Sequence, residues 1–214
     1  MQEIINNQIQ LEPVMVRFHS GEVSQVYKDL LLSSAQLLLR LNSDYLTELK
    51  SRSFIQEYTV SLMQHMDTIY DEGYVTGLTL FYIDINHFKK VNDSLGHEEG
   101  DNVIRNVGHS ITNSLRSSDF VSNNGYNEQT GRLHGDEFIV IVPQIDALSL
   151  EDLSNDERAE IIKNRIKEKV KRQTGMDISI GFSFYVSGEE YAELVKRADT
   201  AMYFDKRTSQ GSVK

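Results

Sequence analysis

Residues 78–101 read LTLFYIDINHFKKVNDSLGHEEGD, and the order of residue types in that stretch decides the fold class. The opening segment, residues 78–85, is almost continuously apolar, aromatic or β-branched, the composition of a buried strand. Asp84 stands at the end of that strand, and Asn86 follows where the chain should turn into a helix from about residue 87. A second helix is expected over residues 101–115, where Val103, Val107, Ile111 and Leu115 recur at helical spacing.

Working outward, residues 122–131 (SNNGYNEQTG) read as a polar loop. Residues 132–142 predict a hairpin, with a turn around His134, Gly135 and Asp136 and then the apolar strand FIVIV. A charged amphipathic helix is expected over 151–171. Residues 177–185 place Ile178, Ile180, Phe182 and Phe184 on one face of a half-buried strand, and a last helix covers 189–207. Upstream, residues 44–71 read as helical, with Leu46, Leu49, Phe54, Tyr58, Leu62 and Met66 toward the core. Residues 24–41 predict a further helix, whose apolar face suits packing on its own domain or pairing with a second copy. Residues 1–20 are weakly patterned, and Pro13 interrupts any long helix there. The element order is strand, helices, hairpin, helix, strand, helix. It implies an α/β chain of the α+β kind: one mixed central sheet with helices against it, split rather than doubly wound.

A chain of 214 residues suits one such domain plus an accessory segment. The division expected is an N-terminal helical extension over 1–43 and a domain over 44–214. With a formal net charge of -10 the surface is not one built to coat a nucleic acid polymer or an anionic membrane. The absence of cysteine excludes disulfides, thiolate metal sites and Cys nucleophiles. No apolar run reaches about 18 residues, and the N-terminus lacks a secretion-signal pattern, so no membrane insertion and a cytoplasmic location are expected.

Asp84 at a strand end, and Asp136 with Glu137 beside an apolar strand, are acids that folding alone does not demand. Carboxylates so placed suit Mg²⁺, which takes one or two of them together with substrate phosphates; Mn²⁺ accepts the same oxygens. The structural alternatives are that Asp84 caps the following helix and Asp136 simply suits a turn. His97 has no nucleophile or metal partner near it in sequence and reads as structural.

Residues 81–101, followed by HGDEF at 134–138, closely resemble the GGDEF family of diguanylate cyclases. DYLTELKSR (44–52) is similar to that family's opening motif, and SIGFSFY (179–185) with ADTAMYFDK (198–206) to its closing strand and helix. The resemblance implies a fold related to the palm of nucleotidyl cyclases and polymerases. It also implies condensation of two GTP into cyclic di-GMP and two pyrophosphates, at a metal-dependent site shared by two subunits of a homodimer. Asp84, Asp136 and the backbone carbonyl of Ile85 match the metal ligands, and Glu137 matches the second acid of the turn. Asn92 and Asp101 match the pair that reads the guanine edge. Lys89 and Lys206 match phosphate contacts, while Phe88 and Gly135 match backbone positions beside the nucleotide. Arg116 and Asp119 resemble a product-binding inhibitory motif.

Four features depart from the family pattern. His134 replaces the first glycine of the turn, where a side chain either crowds the ligand or points outward. Gln210 stands in place of an arginine, removing one positive charge from the triphosphate site, and Asn86 replaces a second strand acid. The loop at 122–131 separates Arg116 and Asp119 from the turn. These departures keep two other outcomes in view: a catalytically degenerate module that binds GTP or cyclic di-GMP and signals by contact, and a cyclase with another nucleotide product.

Overall fold

The computed structural model describes residues 33–34, 42–68, 77–115, 129–144 and 153–211, and all but Ser33 and Ser34 belong to one compact unit, Leu39–Lys214. Apart from those two serines, the helix expected over 24–41 lies outside the described residues, as do Arg116 and Asp119.

Among the described residues of this unit the elements follow in the order α1 (Arg52–Thr68), β1 (Gly77–Ile85), α2 (Phe88–Leu95), α3 (His97–Thr112), β2 (Gln129–His134), β3 (Glu137–Gln144), α4 (Asn155–Thr174), β4 (Ile178–Phe184) and α5 (Tyr191–Gly211). The sheet runs β2-β3-β1-β4, with β1 central between β3 and β4. Among the described residues every pairing of these strands is antiparallel, which corrects the expected mixed sheet. The crossover through α2 and α3 does return the chain parallel to β1, but to the far edge; the hairpin then places β3, running the other way, between them.

Side chains of β1 alternate between two cores. Phe81, Ile83 and Ile85 pack with α3 (Ile104, Val107, Ile111) and α4 (Ile162, Ile166, Val170). Leu78, Leu80 and Tyr82 pack with α1 (Ile55, Leu62, Met63) and α5 (Leu194, Ala198, Met202). The sheet is therefore covered on both faces, and β4 is not half-buried: Ser179 and Ser183, opposite its apolar face, are buried too. Small residues there let α5 approach closely.

Two boundaries differ from expectation for local reasons. Residues 44–51 are not helical. The Asp44 carboxylate accepts from the Thr47 N–H at 2.9 Å and the Thr47 hydroxyl at 2.7 Å, and Glu48 adopts φ 60°, so side-chain bonds replace the helical ladder. Strand β2 begins at Gln129, inside the expected loop, because its polar residues sit on an edge strand. Gly131 is required in it: a Cβ would lie 2.3 Å from the Ile55 side chain and 2.9 Å from the Lys50 carbonyl. Helix α4 starts at a capping box, with the Ser154 side chain on the Glu157 N–H and Glu157 on the Ser154 N–H. Among the described residues no helix is long and apolar enough to cross a membrane.

Candidate active site

The register of the sheet brings the acids together. Asp84 lies directly across from Glu137 on one side and Ser179 on the other, all at one end of the sheet. Alternation along β1 puts Asp84 on the face shared with Leu80 and Tyr82, toward α5. Asp136 occupies the turn between β2 and β3, and its carbonyl accepts the Ile85 N–H at 3.2 Å. The carbonyl of an extended residue leaves the strand on the same side as its N–H, so Ile85 also presents its oxygen toward that turn.

Asp84 is only 8% exposed, and Lys206 Nζ stands 2.5 Å from its Oδ1. Burial pushes the Asp136 carboxyl up from its ordinary value, with the charge of Asp84 adding to the rise and Lys206 opposing it. Two partly desolvated carboxylates facing one lysine make a site short of positive charge. Among the described residues no three His, Asp or Glu side chains are grouped closely enough to hold an ion by themselves. Asp84, Asp136 and the Ile85 carbonyl are oxygen donors of the kind a hard cation such as Mg²⁺ takes when phosphate completes its coordination.

Glu137, expected in the turn, is instead the first residue of β3. Its Oε2 accepts from the Tyr82 hydroxyl at 2.8 Å and lies 3.0 Å from His134 Nδ1. Burial, then the bond to Glu137, pushes the Tyr82 phenol far up, so it remains a donor. His134 ends β2 without a left-handed backbone; its side chain is 63% exposed and turns outward onto Glu137. The positive φ in this turn falls on Gly135, at 53°, which the chain keeps.

Two residues that sequence reasoning passed over hold the turn. Arg132 donates through Nε and Nη2 to the Gly135 carbonyl at 3.0 and 2.9 Å, and through Nη1 to Asp44 at 3.2 Å. Burial works against the Asp44 carboxylate, but bonds from Thr47 and Arg132 hold its pKa below the ordinary value. The opening motif therefore acts as a clamp on the hairpin. Arg132→Ala is expected to cost about 2 kcal/mol, since it strips a charged donor from a mostly buried carboxylate and a carbonyl. Thermal unfolding measures it; an unchanged melting temperature would show that Asp44 and the turn stand without Arg132.

Beyond Asp84, Asn86 is buried, accepts from the Ser179 hydroxyl at 2.7 Å and donates its N–H to Asp177 at 2.9 Å. His87 follows at φ 59°, ψ 23°, and no side chain caps the start of α2. The first N–H groups of that helix are thus left for an anion. Phe88 packs into the core and Lys89 is exposed beside it. On α3, Gly100 allows Asn92 to lie against the helix: a Cβ there would meet Asn92 Oδ1 at 1.9 Å. Asp101, the next residue of α3, is half-buried, as is Asn92.

A family model described as "Diguanylate cyclase, GGDEF domain" matches residues 41–212. The chain belongs to the GGDEF domain family. This GGDEF chain is 33% identical to the diguanylate cyclase DosC of Escherichia coli, over 79% of its own length and 34% of that protein's. It is 32% identical to the cyclic di-GMP phosphodiesterase NbdA of Pseudomonas aeruginosa, over 87% of itself and 22% of that protein. It therefore spans about a fifth to a third of these curated relatives. Among solved structures it is similar to the GGDEF domain of DgcB from Caulobacter crescentus in complex with c-di-GMP. The TM-score there is 0.62 at 26% identity, covering 79% of this chain and 89% of that one.

Proposed function

We propose that this GGDEF domain is a diguanylate cyclase that joins two GTP into cyclic di-GMP with release of two pyrophosphates, each of two subunits holding one GTP. The observation that carries this reading is the convergence of Asp84, Asp136 and Glu137 at one end of the sheet, with Lys206 and the uncapped start of α2 beside them. Asp84, Asp136 and the Ile85 carbonyl would hold Mg²⁺ or Mn²⁺, which supplies charge neutralisation at the phosphates and lowers the pKa of the attacking hydroxyl. The N–H groups at Phe88 and Lys89, with the Lys89 and Lys206 ammonium groups, bind the triphosphate. Asn92 and Asp101 offer an amide and a carboxylate to the donor and acceptor edge of guanine.

In the reaction each 3′-oxygen bonds to the α-phosphorus of the other GTP as the bond to the β-phosphate oxygen breaks. Glu137 is placed to accept the hydroxyl proton, because Tyr82 and His134 engage one of its oxygens and leave the other free of them. The two active halves face each other, and residues 1–43 are the segment proposed to set that homodimer. The outward His134 and the retained Gly135 support an intact turn, despite the lost glycine.

Purified protein incubated with GTP and Mg²⁺ should yield cyclic di-GMP, separated by chromatography. GTP or cyclic di-GMP binding without product at high protein concentration would sink the enzyme and leave a binding module that signals by contact.

A further inference from the structure

We propose that Lys206 makes the acidic site selective for a divalent cation that arrives with a polyphosphate, and screens out the free cation. The inference rests on Asp84 being a metal ligand, as read above. Sequence similarity assigns Lys206 to phosphate, yet the structure seats its ammonium on the metal ligand itself, 2.5 Å from Asp84 Oδ1. The pair is well shielded, with side-chain exposures of 28% for Lys206 and 11% for Asp84.

The lysine is also held in place. The preceding residue, Asp205, accepts the Ile180 N–H at 2.9 Å on the outer edge of β4, and takes the Lys167 ammonium at 2.6 and 2.8 Å. Those bonds fix this turn of α5 against the sheet and aim the next side chain at the end of β1. Lys206 is not a solvated surface lysine that happens to lie nearby.

Two positive charges therefore compete for Asp84. A bare divalent cation has to break a charge-assisted hydrogen bond and leave the ammonium beside it without a partner, both of which oppose binding. A cation that comes with a triphosphate or pyrophosphate brings the ammonium a new anion within reach. Lys206 then moves from carboxylate to phosphate oxygen with no net loss of partners. One side chain serves two anions in turn, and metal and nucleotide affinities become coupled. Coupling of this kind is reciprocal, so each ligand tightens the other by the same factor.

The test reads metal binding by the full chain without turnover. Mn²⁺ is titrated in the absence of nucleotide and followed by the loss of its free spin-resonance signal. Wild type should bind weakly, Lys206→Met about tenfold more tightly, and Lys206→Arg, which keeps the charge, as weakly as wild type. Asp84→Asn should abolish the binding gained in Lys206→Met. In parallel, equilibrium dialysis of a GTP analogue with a methylene between the α- and β-phosphates should show Mn²⁺ tightening it about tenfold in wild type and much less in Lys206→Met. Equal free-Mn²⁺ affinity for wild type and Lys206→Met overturns the proposal, and so does an analogue affinity in wild type that ignores Mn²⁺. The second comparison needs no variant, so a poorly folded Lys206→Met does not shelter the idea. Failure of the cyclase reading shows separately, as absence of cyclic di-GMP from GTP.

Discussion

Asp136→Asn should abolish the proposed cyclic di-GMP formation, by at least about 10³-fold, while making the metal-free protein more stable at neutral pH. Both halves come from one geometry. Asp136 sits partly desolvated in the turn near Asp84, and its pKa is raised by burial first and by the charge of Asp84 second. A carboxyl whose folded pKa lies above its unfolded value favours the fold only while protonated. That favour is lost as pH rises through the folded pKa, so well above the ordinary Asp range the wild-type carboxyl opposes folding. Asparagine does not ionise and escapes the penalty. In a chelator-containing buffer the variant's melting temperature should exceed that of wild type at pH 7, and the difference should fade as pH falls through and below the ordinary Asp value of 3.8, where the unfolded carboxyl is protonated too. Added Mg²⁺ with a nucleotide analogue should reverse the order. Retained product formation would remove Asp136 from the metal site. A melting temperature at pH 7 no higher than wild type would mean that Lys206 already neutralises both acids.

The parts of this site legible in sequence are those written in residue type. Asp84 at the end of an apolar strand, and Asp136 and Glu137 before another, stand out because burial does not explain them; that Asp84 and Glu137 are direct neighbours appears only in the sheet register. The apolar runs at 78–85 and 138–142 locate the central strands, since periodicity reports burial directly. What sequence hides is pairing. Arg132 looked like the first residue of a short strand, and its role appears only when Asp44, distant in the chain, meets it at 3.2 Å. The helix expected from residue 44 fails for a local reason, because Asp44 and Thr47 bond to each other and divert the backbone. Polar strand β2 carried no apolar signal, and the serine and glycine face of β4 looked solvated although a helix covers it. His134 suggested a damaged turn; only the backbone shows that the left-handed residue is Gly135, the glycine that remains.

The second large effect is structural. Gly181→Ala should destabilise the domain by about 3 kcal/mol or more, lowering the melting temperature by about 6–12 °C. Gly181 lies on β4 under α5, where a Cβ would stand 2.0 Å from the Met202 backbone nitrogen and 2.2 Å from the Ala198 carbonyl oxygen. These are main-chain atoms of a continuous helix, so no rotamer change relieves the contact; the helix itself must move off the sheet. Moving it opens the core around Ala198 and Met202, and it also carries Asp205 away from Ile180 and Lys206 away from Asp84. The same methyl group should therefore weaken nucleotide binding in whatever protein stays folded, although Gly181 is not among the residues proposed to touch ligand. Thermal unfolding and analogue binding, measured on one sample, separate the two consequences. Lost stability with full analogue affinity would mean that α5 shifts without disturbing its phosphate end. An unchanged melting temperature would contradict the close helix–sheet packing from which the position of Lys206 is argued.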